Sequence, residues 1–113
     1  MAAKVAAKEI VRRRGEKLFC YGRWKRTIDS RRRIALPPRF RQGFGREIVI
    51  VEEGEGFSVF PITRLRHNFD DLSKVWIATI DNQGRIGIPS VISYSKPKVV
   101  WLGRGDHLEV LLF

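Results

Sequence analysis

The sequence has little cysteine and no long apolar run, and both absences narrow the class of protein. Cys20 is the single cysteine among 113 residues, so no disulfide can form within the chain. A reducing compartment therefore fits best. No apolar stretch approaches the ~18 residues that a membrane-spanning helix needs, and residues 1–14 lack the continuous apolar segment of a secretory signal. We expect a cytoplasmic protein with no membrane partner.

Acidic residues are scarce in the first part of the chain. Residues 1–46 hold 15 basic and 3 acidic side chains, a net charge of +12, whereas residues 47–113 hold 7 basic and 9 acidic ones, a net charge of −2. Together they give the +10 of the whole chain. A field of this sign concentrates polyanions near the surface. Nucleic acid is therefore the expected partner, ahead of an anionic membrane surface.

The sequence also lacks the usual arrangements of catalytic and cofactor-binding residues. It has no glycine-rich loop that would cradle a phosphate, and His67 with Asp70 and Asp71 is more typical of polar surface than of a metal site. Asp29 and Asp81 each follow Thr-Ile, as in aspartic proteases, but a dyad that shares a proton needs a small Thr/Ser-Gly turn after each Asp. Neither Asp has one. We expect no enzyme, no metal and no cofactor.

The chain contains an internal repeat. Residues 27–37 (TIDSRRRIALP) align without gaps with residues 79–89 (TIDNQGRIGIP), and six of the eleven positions are identical. Each segment is followed by an apolar run, at residues 48–51 and 99–102, then by a turn with glycine and acids, and then by a closing apolar run. Two copies of one structural unit are the simplest interpretation.

Within each unit the pattern is typical of β-structure. Residues 24–28 and 76–80 carry aromatic and β-branched side chains, and four short strands per unit predict an eight-stranded, all-β, barrel-like body. The prolines suit the first turn of a helix, so short helices are predicted at residues 38–42 and 89–94. The predicted organisation is a basic N-terminal helix or arm (1–19), a first repeat (20–61), a connector (62–74) and a second repeat (75–113).

The repeat resembles a known family. Residues 22–41 (GRWKRTIDSRRRIALPPRFR) look like the opening of MraZ proteins, a branch of the SpoVT/AbrB-like DNA-binding superfamily. Those proteins begin with a glycine two residues before an aromatic residue, followed by Asp-x-x-x-Arg, an apolar pair, proline and a basic, aromatic helix. Residues 81–89 (DNQGRIGIP) are similar to the second copy of this motif, and residues 103–110 (GRGDHLEV) resemble its closing segment. The resemblance covers about residues 20–113.

The resemblance implies both a fold and a function. The fold would be the swapped-hairpin AbrB barrel, in which two halves of one chain replace the two subunits of an AbrB dimer. Family members bind DNA as transcriptional regulators, and MraZ proteins form rings, which implies a nucleoid-associated regulator that forms homo-oligomers. The DNA-facing motif falls here on Asp29 and Arg33 and on Asp81 and Arg85. The chain departs from the family in a shorter connector, in Arg32 at a position that is usually glycine, and in its basic N-terminal extension.

The chemistry of the motif gives a reason for these residues. The planar fork of an arginine matches a phosphate or the edge of guanine. An Asp four residues earlier can orient that fork and cap the turn, or it can form an Asx-turn with no further role. Arg31 and Arg32 extend a run of like charges that repel one another, so we expect them to contact phosphate. Asn82 and Gln83 are suited to adenine edges, so the second loop would add sequence preference.

The candidate nucleic-acid contacts are spread over the arm, both loops and their flanking segments. They are Lys4, Lys8, Arg12, Arg13, Arg14, Arg23, Lys25, Arg31, Arg32, Arg33, Arg39, Arg41, Asn82, Gln83 and Arg85, with Asp29 and Asp81 as loop-organising residues. Trp24, Phe40 and Trp76 are expected in the core because their positions recur as apolar, and Cys20 is expected to be a buried small hydrophobe.

Duplex DNA is the preferred partner, and two alternatives remain open at this point. One is a component of an RNA or ribonucleoprotein assembly that docks through the basic arm. The other is an antitoxin-like protein-binding module, because AbrB-like domains, which the repeat resembles, often come with a toxin-binding tail.

Overall fold

The structure, a computed structural model, describes residues 19–63 and 72–113. The predicted basic arm and most of the connector lie outside these described residues. With them lie the candidate contacts Lys4, Lys8, Arg12, Arg13 and Arg14, and also His67, Asp70 and Asp71.

Short strands dominate the described part of the chain, which confirms the prediction of a mainly β protein. The strands are β1 (Arg23–Thr27), β2 (Arg33–Ala35), β3 (Glu47–Glu53), β4 (Gly56–Pro61), β5 (Val75–Thr79), β6 (Arg85–Gly87), β7 (Lys98–Gly103) and β8 (Leu108–Leu112). A 3-10 helix (Pro38–Phe40) leads directly into the short helix α1 (Arg41–Phe44), and a second 3-10 helix (Leu72–Lys74) precedes β5.

One of the two predicted helices is present, and the prediction of the other is wrong. Pro38 supplies the fixed backbone angle that begins the helical segment at residues 38–44. Residues 89–94 form only a turn, in which the amide of Ile92 donates to the carbonyl of Pro89 at 2.9 Å. Val91 and Ile92 are β-branched and favour a helix less. In addition, Arg32 occupies the carbonyl oxygens of Pro89 and Ile92, which are acceptors that a continuing helix would use.

The strands form a six-stranded antiparallel sheet, in the order β1-β7-β8-β4-β3-β5, and a separate β2–β6 pair. If each of the first four strands is exchanged with its equivalent among the last four, the result is the same order read from the other end of the sheet. The first strand of each half pairs with the hairpin of the other half, β1 with β7 and β5 with β3. Because β1 and β5 are the two ends of the sheet, the described strands form no closed barrel, and that part of the expectation is wrong.

The β2–β6 pair contributes the centre of the buried core. Ile34 lies directly opposite Ile86, and both are fully buried in one apolar cluster with Trp101 of β7 and residues of both hairpins. Phe40 is buried in the same cluster, and its ring meets that of the partly buried Trp24 edge-to-face at 5.1 Å. Neither half encloses this core by itself, because strands from both halves line it.

We expect the two halves to unfold together. Ile34→Ala and Ile86→Ala should each lower the free energy of unfolding by about 2–5 kcal/mol, since each leaves a cavity in the shared core. Urea unfolding followed by tryptophan fluorescence and by far-UV circular dichroism should give one coincident transition. Ile77→Ala, at an exposed position, is the control and should change stability by about 0.5 kcal/mol or less. Two separate transitions would contradict the shared core.

Candidate nucleic-acid interface

The two Asp-x-x-x-Arg segments form matched turns. In the first, the amide of Asp29 donates to the carbonyl of Arg33 at 3.0 Å, and in the second the amide of Asp81 donates to that of Arg85 at 2.9 Å. Each turn connects a strand of the large sheet to a strand of the β2–β6 pair. The sequence repeat therefore corresponds to a repeat in backbone geometry.

The carboxylate at the start of each turn organises it. In Asp29, Oδ1 accepts hydrogen bonds from the amides of Arg31 and Arg33 at 2.8 and 2.9 Å. Its other oxygen, Oδ2, accepts from Nε of Arg33 at 2.9 Å. Asp81 makes the same three hydrogen bonds within its own turn, at 2.8–2.9 Å. One side chain thus caps the turn and orients the arginine that closes it.

These hydrogen bonds favour the ionised carboxylates. The hydrogen bond from the Arg33 amide is the main cause that lowers the pKa of Asp29 below its ordinary 3.8, and the Arg85 amide does the same for the pKa of Asp81. The guanidinium charge adds to the effect in each turn. Both carboxylates are therefore negative at neutral pH.

The two turns meet and form one cluster of four charged side chains, which we call the Asp–Arg cluster. Nη1 of Arg33 lies 4.0 Å from Oδ2 of Asp81, and Nη1 of Arg85 lies 3.9 Å from Oδ2 of Asp29. Each arginine side chain is 28% exposed and each carboxylate 34%. The four charges cancel, so the cluster orders the surface but adds no net positive charge.

Each arginine of the Asp–Arg cluster keeps hydrogen-bond donors for a ligand, although its Nη1 lies near the carboxylate of the other turn. Among the described residues, Nε is the single guanidinium atom of Arg33 and of Arg85 that donates a hydrogen bond. Both terminal nitrogens of each fork remain without a hydrogen-bond partner there, at a partly exposed surface. A fork held in this way is suited to a phosphate or a base edge.

The tips of the two turns differ in charge. Arg31 is exposed at the tip of the first turn, and Asn82 and Gln83 are exposed at the tip of the second. The side chain of Arg31 makes no ion pair with a described residue. The first turn therefore carries a cation at its tip, and the second turn carries two amides.

Arg32, which was expected to contact phosphate, has a structural role within the protein. Its backbone is in the left-handed region, with a φ of 61°. Its Nη2 donates to the carbonyls of Pro89 and Ile92 at 2.9 and 2.5 Å, and its guanidinium lies 5.0 Å from the centre of the Tyr94 ring. Sequence reasoning missed this role because the partners lie more than 50 residues away in the other half.

Arg41 has a related role at the second turn. Gly84 stands where the first turn has Arg32, with a φ of 78°. A Cβ added at Gly84 would lie 2.1 Å from Nε of Arg41, which also reaches the carbonyl of Leu36 at 3.4 Å. The absence of a side chain at Gly84 thus makes room for an arginine from the other half. Arg32 and Arg41 are both engaged within the protein.

The remaining candidates lie on β1 and on the helical segment. Arg23 and Lys25 are exposed on the edge strand β1, on either side of Trp24. Arg39 is exposed, with its guanidinium 5.6 Å from the centre of the Phe40 ring. Sequence reasoning missed Lys98, which the β1–β7 register places opposite Thr27 and near these cations. Only the strand pairing carries that signal.

Comparison with protein-family models and with curated proteins gave no match for the chain. Within residues 19–63 and 72–113 there is no group of three or more His, Cys, Asp or Glu side chains that could hold a metal ion. No helix of this described part is long and apolar enough to cross a membrane. Cys20 is fully buried, as expected, and burial raises the pKa of its thiol to about 12, with a further contribution from the charge of Asp106.

We expect the double variant Asp29→Asn/Asp81→Asn to weaken the fold in a pH-dependent manner. The lowered pKa values mean that the carboxylates stabilise the protein above their ordinary pKa of 3.8, and that this stabilisation is lost as the pH falls through their folded-state values. The double variant should therefore have a lower urea midpoint at neutral pH and a smaller loss on acidification. Glu55→Gln, at an exposed turn, controls for the loss of a charge. Parallel pH profiles for the double variant and the wild type would contradict the expectation.

Gly84→Ala should be destabilising by about 1–3 kcal/mol, because alanine is strained in the left-handed region and because its Cβ would displace Arg41. Gly87→Ala is the matched control, since Gly87 has no positive φ and a Cβ there would meet no atom within 4 Å. Thermal or urea unfolding of both variants provides the measurement. Equal stability of the two would show that the left-handed conformation and the Arg41 contact are unimportant.

Proposed function

We propose that this protein binds duplex DNA as a transcriptional regulator, with the Asp–Arg cluster facing the DNA. The observation that carries the proposal is the meeting of the two turns. Arginines held by their own carboxylates lie side by side, and the exposed residues Arg31, Asn82 and Gln83 flank them. In this proposal the protein is cytoplasmic and acts on the nucleoid.

The topology supports a swapped-hairpin pseudo-dimer of the SpoVT/AbrB-like kind, to which the MraZ-like motifs point. The first strand of each half adds to the hairpin of the other, and the strand order is the same from either end. In this proposal each repeat takes the place of one subunit of a dimer. An approximate twofold axis then passes between the two turns and through the β2–β6 pair.

That symmetry is suited to duplex DNA, whose backbone has twofold symmetry of its own. The first turn supplies a phosphate contact through Arg31, and the second presents two amides to base edges. Arg33 and Arg85 are ordered before binding by Asp29 and Asp81, which reduces the side-chain entropy lost in the complex.

Salt-dependent binding to a labelled DNA duplex tests this proposal. Arg31→Ala should weaken binding and should reduce the slope of log K against log salt by about 0.9, the value for one lost phosphate contact. Arg104→Ala removes an equal charge from the exposed turn between β7 and β8, where Arg104 pairs with Glu109, and should leave the slope unchanged. Equal effects of the two variants would contradict a contact at the first turn.

Two further binding experiments test the base preference and the type of nucleic acid. Asn82→Ala/Gln83→Ala should flatten the preference among duplex sequences and keep the salt slope. Unlabelled duplex should displace the labelled DNA at lower concentration than structured RNA does. If RNA is the stronger competitor, the DNA proposal fails in favour of a role in a ribonucleoprotein.

A further inference from the structure

A basic groove lies beside β1 and β7. Its volume is about 480 Å³, and no acidic side chain lines it. Its cationic residues are Arg23, Lys25, Arg26, Lys96 and Lys98. Phe113, whose side chain is 52% exposed, lies at the same groove and adds an aromatic surface. We call this the β1–β7 groove.

No acidic side chain of the described residues pairs with the charges of the groove. The side chains of Arg23, Lys25, Lys96 and Lys98 make no ion pair or hydrogen bond with a described residue. Arg26 donates only to the backbone carbonyl of Lys25, at 2.8 Å. Five like charges around one depression repel one another, so a polyanion that lies along the groove would be strongly favoured.

The β5–β3 pair lies at the equivalent place, at the other end of the sheet. The register and hydrogen bonds of the two pairs define which residues are equivalent. In the first pair Thr27 lies opposite Lys98, and in the second Thr79 lies opposite Glu47. The next residue makes the same backbone bond in both halves. Ile28 donates to the carbonyl of Pro97 at 2.9 Å, and Ile80 donates to that of Arg46 at 2.7 Å.

This correspondence shows that the groove chemistry is not repeated. The residues equivalent to Arg23, Lys25, Arg26, Lys96 and Lys98 are, in that order, Val75, Ile77, Ala78, Gly45 and Glu47. At these five positions the β1–β7 pair presents five cations, and the β5–β3 pair presents a single anion with apolar residues and a glycine. A symmetric backbone thus has a strongly asymmetric distribution of charge.

The groove is continuous with the first turn. β1 runs from Arg23 to Thr27, and Asp29 begins the turn that carries Arg31 two residues further on. A strand rises about 3.3 Å per residue, so β1 extends the cationic surface by roughly 13 Å from the turn. A phosphodiester backbone that contacts Arg31 passes Asp29, whose charge is balanced by Arg33, and can then continue along β1, where no acidic side chain lines the groove.

We propose that the β1–β7 groove binds the phosphodiester backbone of nucleic acid, so that the protein engages DNA more extensively on one side of its approximate twofold axis than on the other. This proposal rests on the proposed function, because it extends the path of the same DNA. Its ligand is a polyanionic chain, and its contacts depend on charge and not on base sequence.

Paired charge-removal variants test whether the contact is local. Lys25→Ala/Lys98→Ala removes two charges from the groove, whereas Arg46→Ala/Lys74→Ala removes two exposed charges beside the equivalent β5–β3 pair. For binding to a DNA duplex, the groove variant should reduce the slope of log K against log salt by about 1.8. Over a fourfold rise in salt concentration, this difference corresponds to a change of about tenfold in relative affinity. The control should keep a wild-type slope. Equal salt slopes for both double variants would overturn the proposal that the groove binds DNA.

Directed cleavage tests the asymmetry itself. Thr27→Cys and Thr79→Cys place one exposed thiol at equivalent positions of the two halves, and the native Cys20 is fully buried. With an iron chelate attached to each thiol in turn, DNA cleavage should be at least fivefold greater from position 27. Equal cleavage from positions 27 and 79 would overturn the asymmetric arrangement.

These outcomes separate the groove from the proposed function. If wild-type protein binds no DNA, the proposed function fails. If it binds DNA and Arg31→Ala weakens binding, but the groove variant behaves as its control does, only the groove proposal fails. Binding to vesicles of anionic lipid is measured as a further comparison. A groove variant that loses binding to vesicles, but none to DNA, would assign the groove to a membrane surface and overturn the proposal.

Discussion

The pairing of β2 with β6 is the constraint on which the rest of the structure depends. Ile34 and Ile86 lie opposite each other and are fully buried, so a shift of one residue in register would expose both of them. The same register turns Arg33 and Arg85 outward and brings their two turns together. Apolar burial at the centre of the molecule therefore determines the geometry of a charged surface.

Order and charge come from different residues at this surface. The Asp–Arg cluster is neutral and rigid, since each carboxylate is bound by two amides and a guanidinium. Positive charge comes from side chains around it, above all from Arg31 and the β1–β7 groove. Because the charged positions of the groove are not repeated at the equivalent β5–β3 pair, a symmetric backbone can support asymmetric recognition.

The prediction from sequence succeeded and failed at identifiable places. Both copies of the motif end in proline, yet only the first continues as a helix. In the second, Val91 and Ile92 are β-branched, and Arg32 holds the carbonyls of Pro89 and Ile92. The same contact explains why an arginine tolerates a φ of 61°. Arg32 and Gly84 differ in the sequence alignment, but the consequence of that difference depends on partners in the opposite half.

The sequence by itself determined the β class, the internal repeat and the chemistry of the turns. Alternation, turn residues and the Asp-x-x-x-Arg spacing act over a few residues, and so they can be read along the chain. The tertiary structure alone decided that the two turns meet, that Arg32 and Arg41 are engaged within the protein, and that Lys98 joins Lys25 in one groove. Each of these contacts joins segments far apart in the chain, and strand pairing between the two halves brings them together.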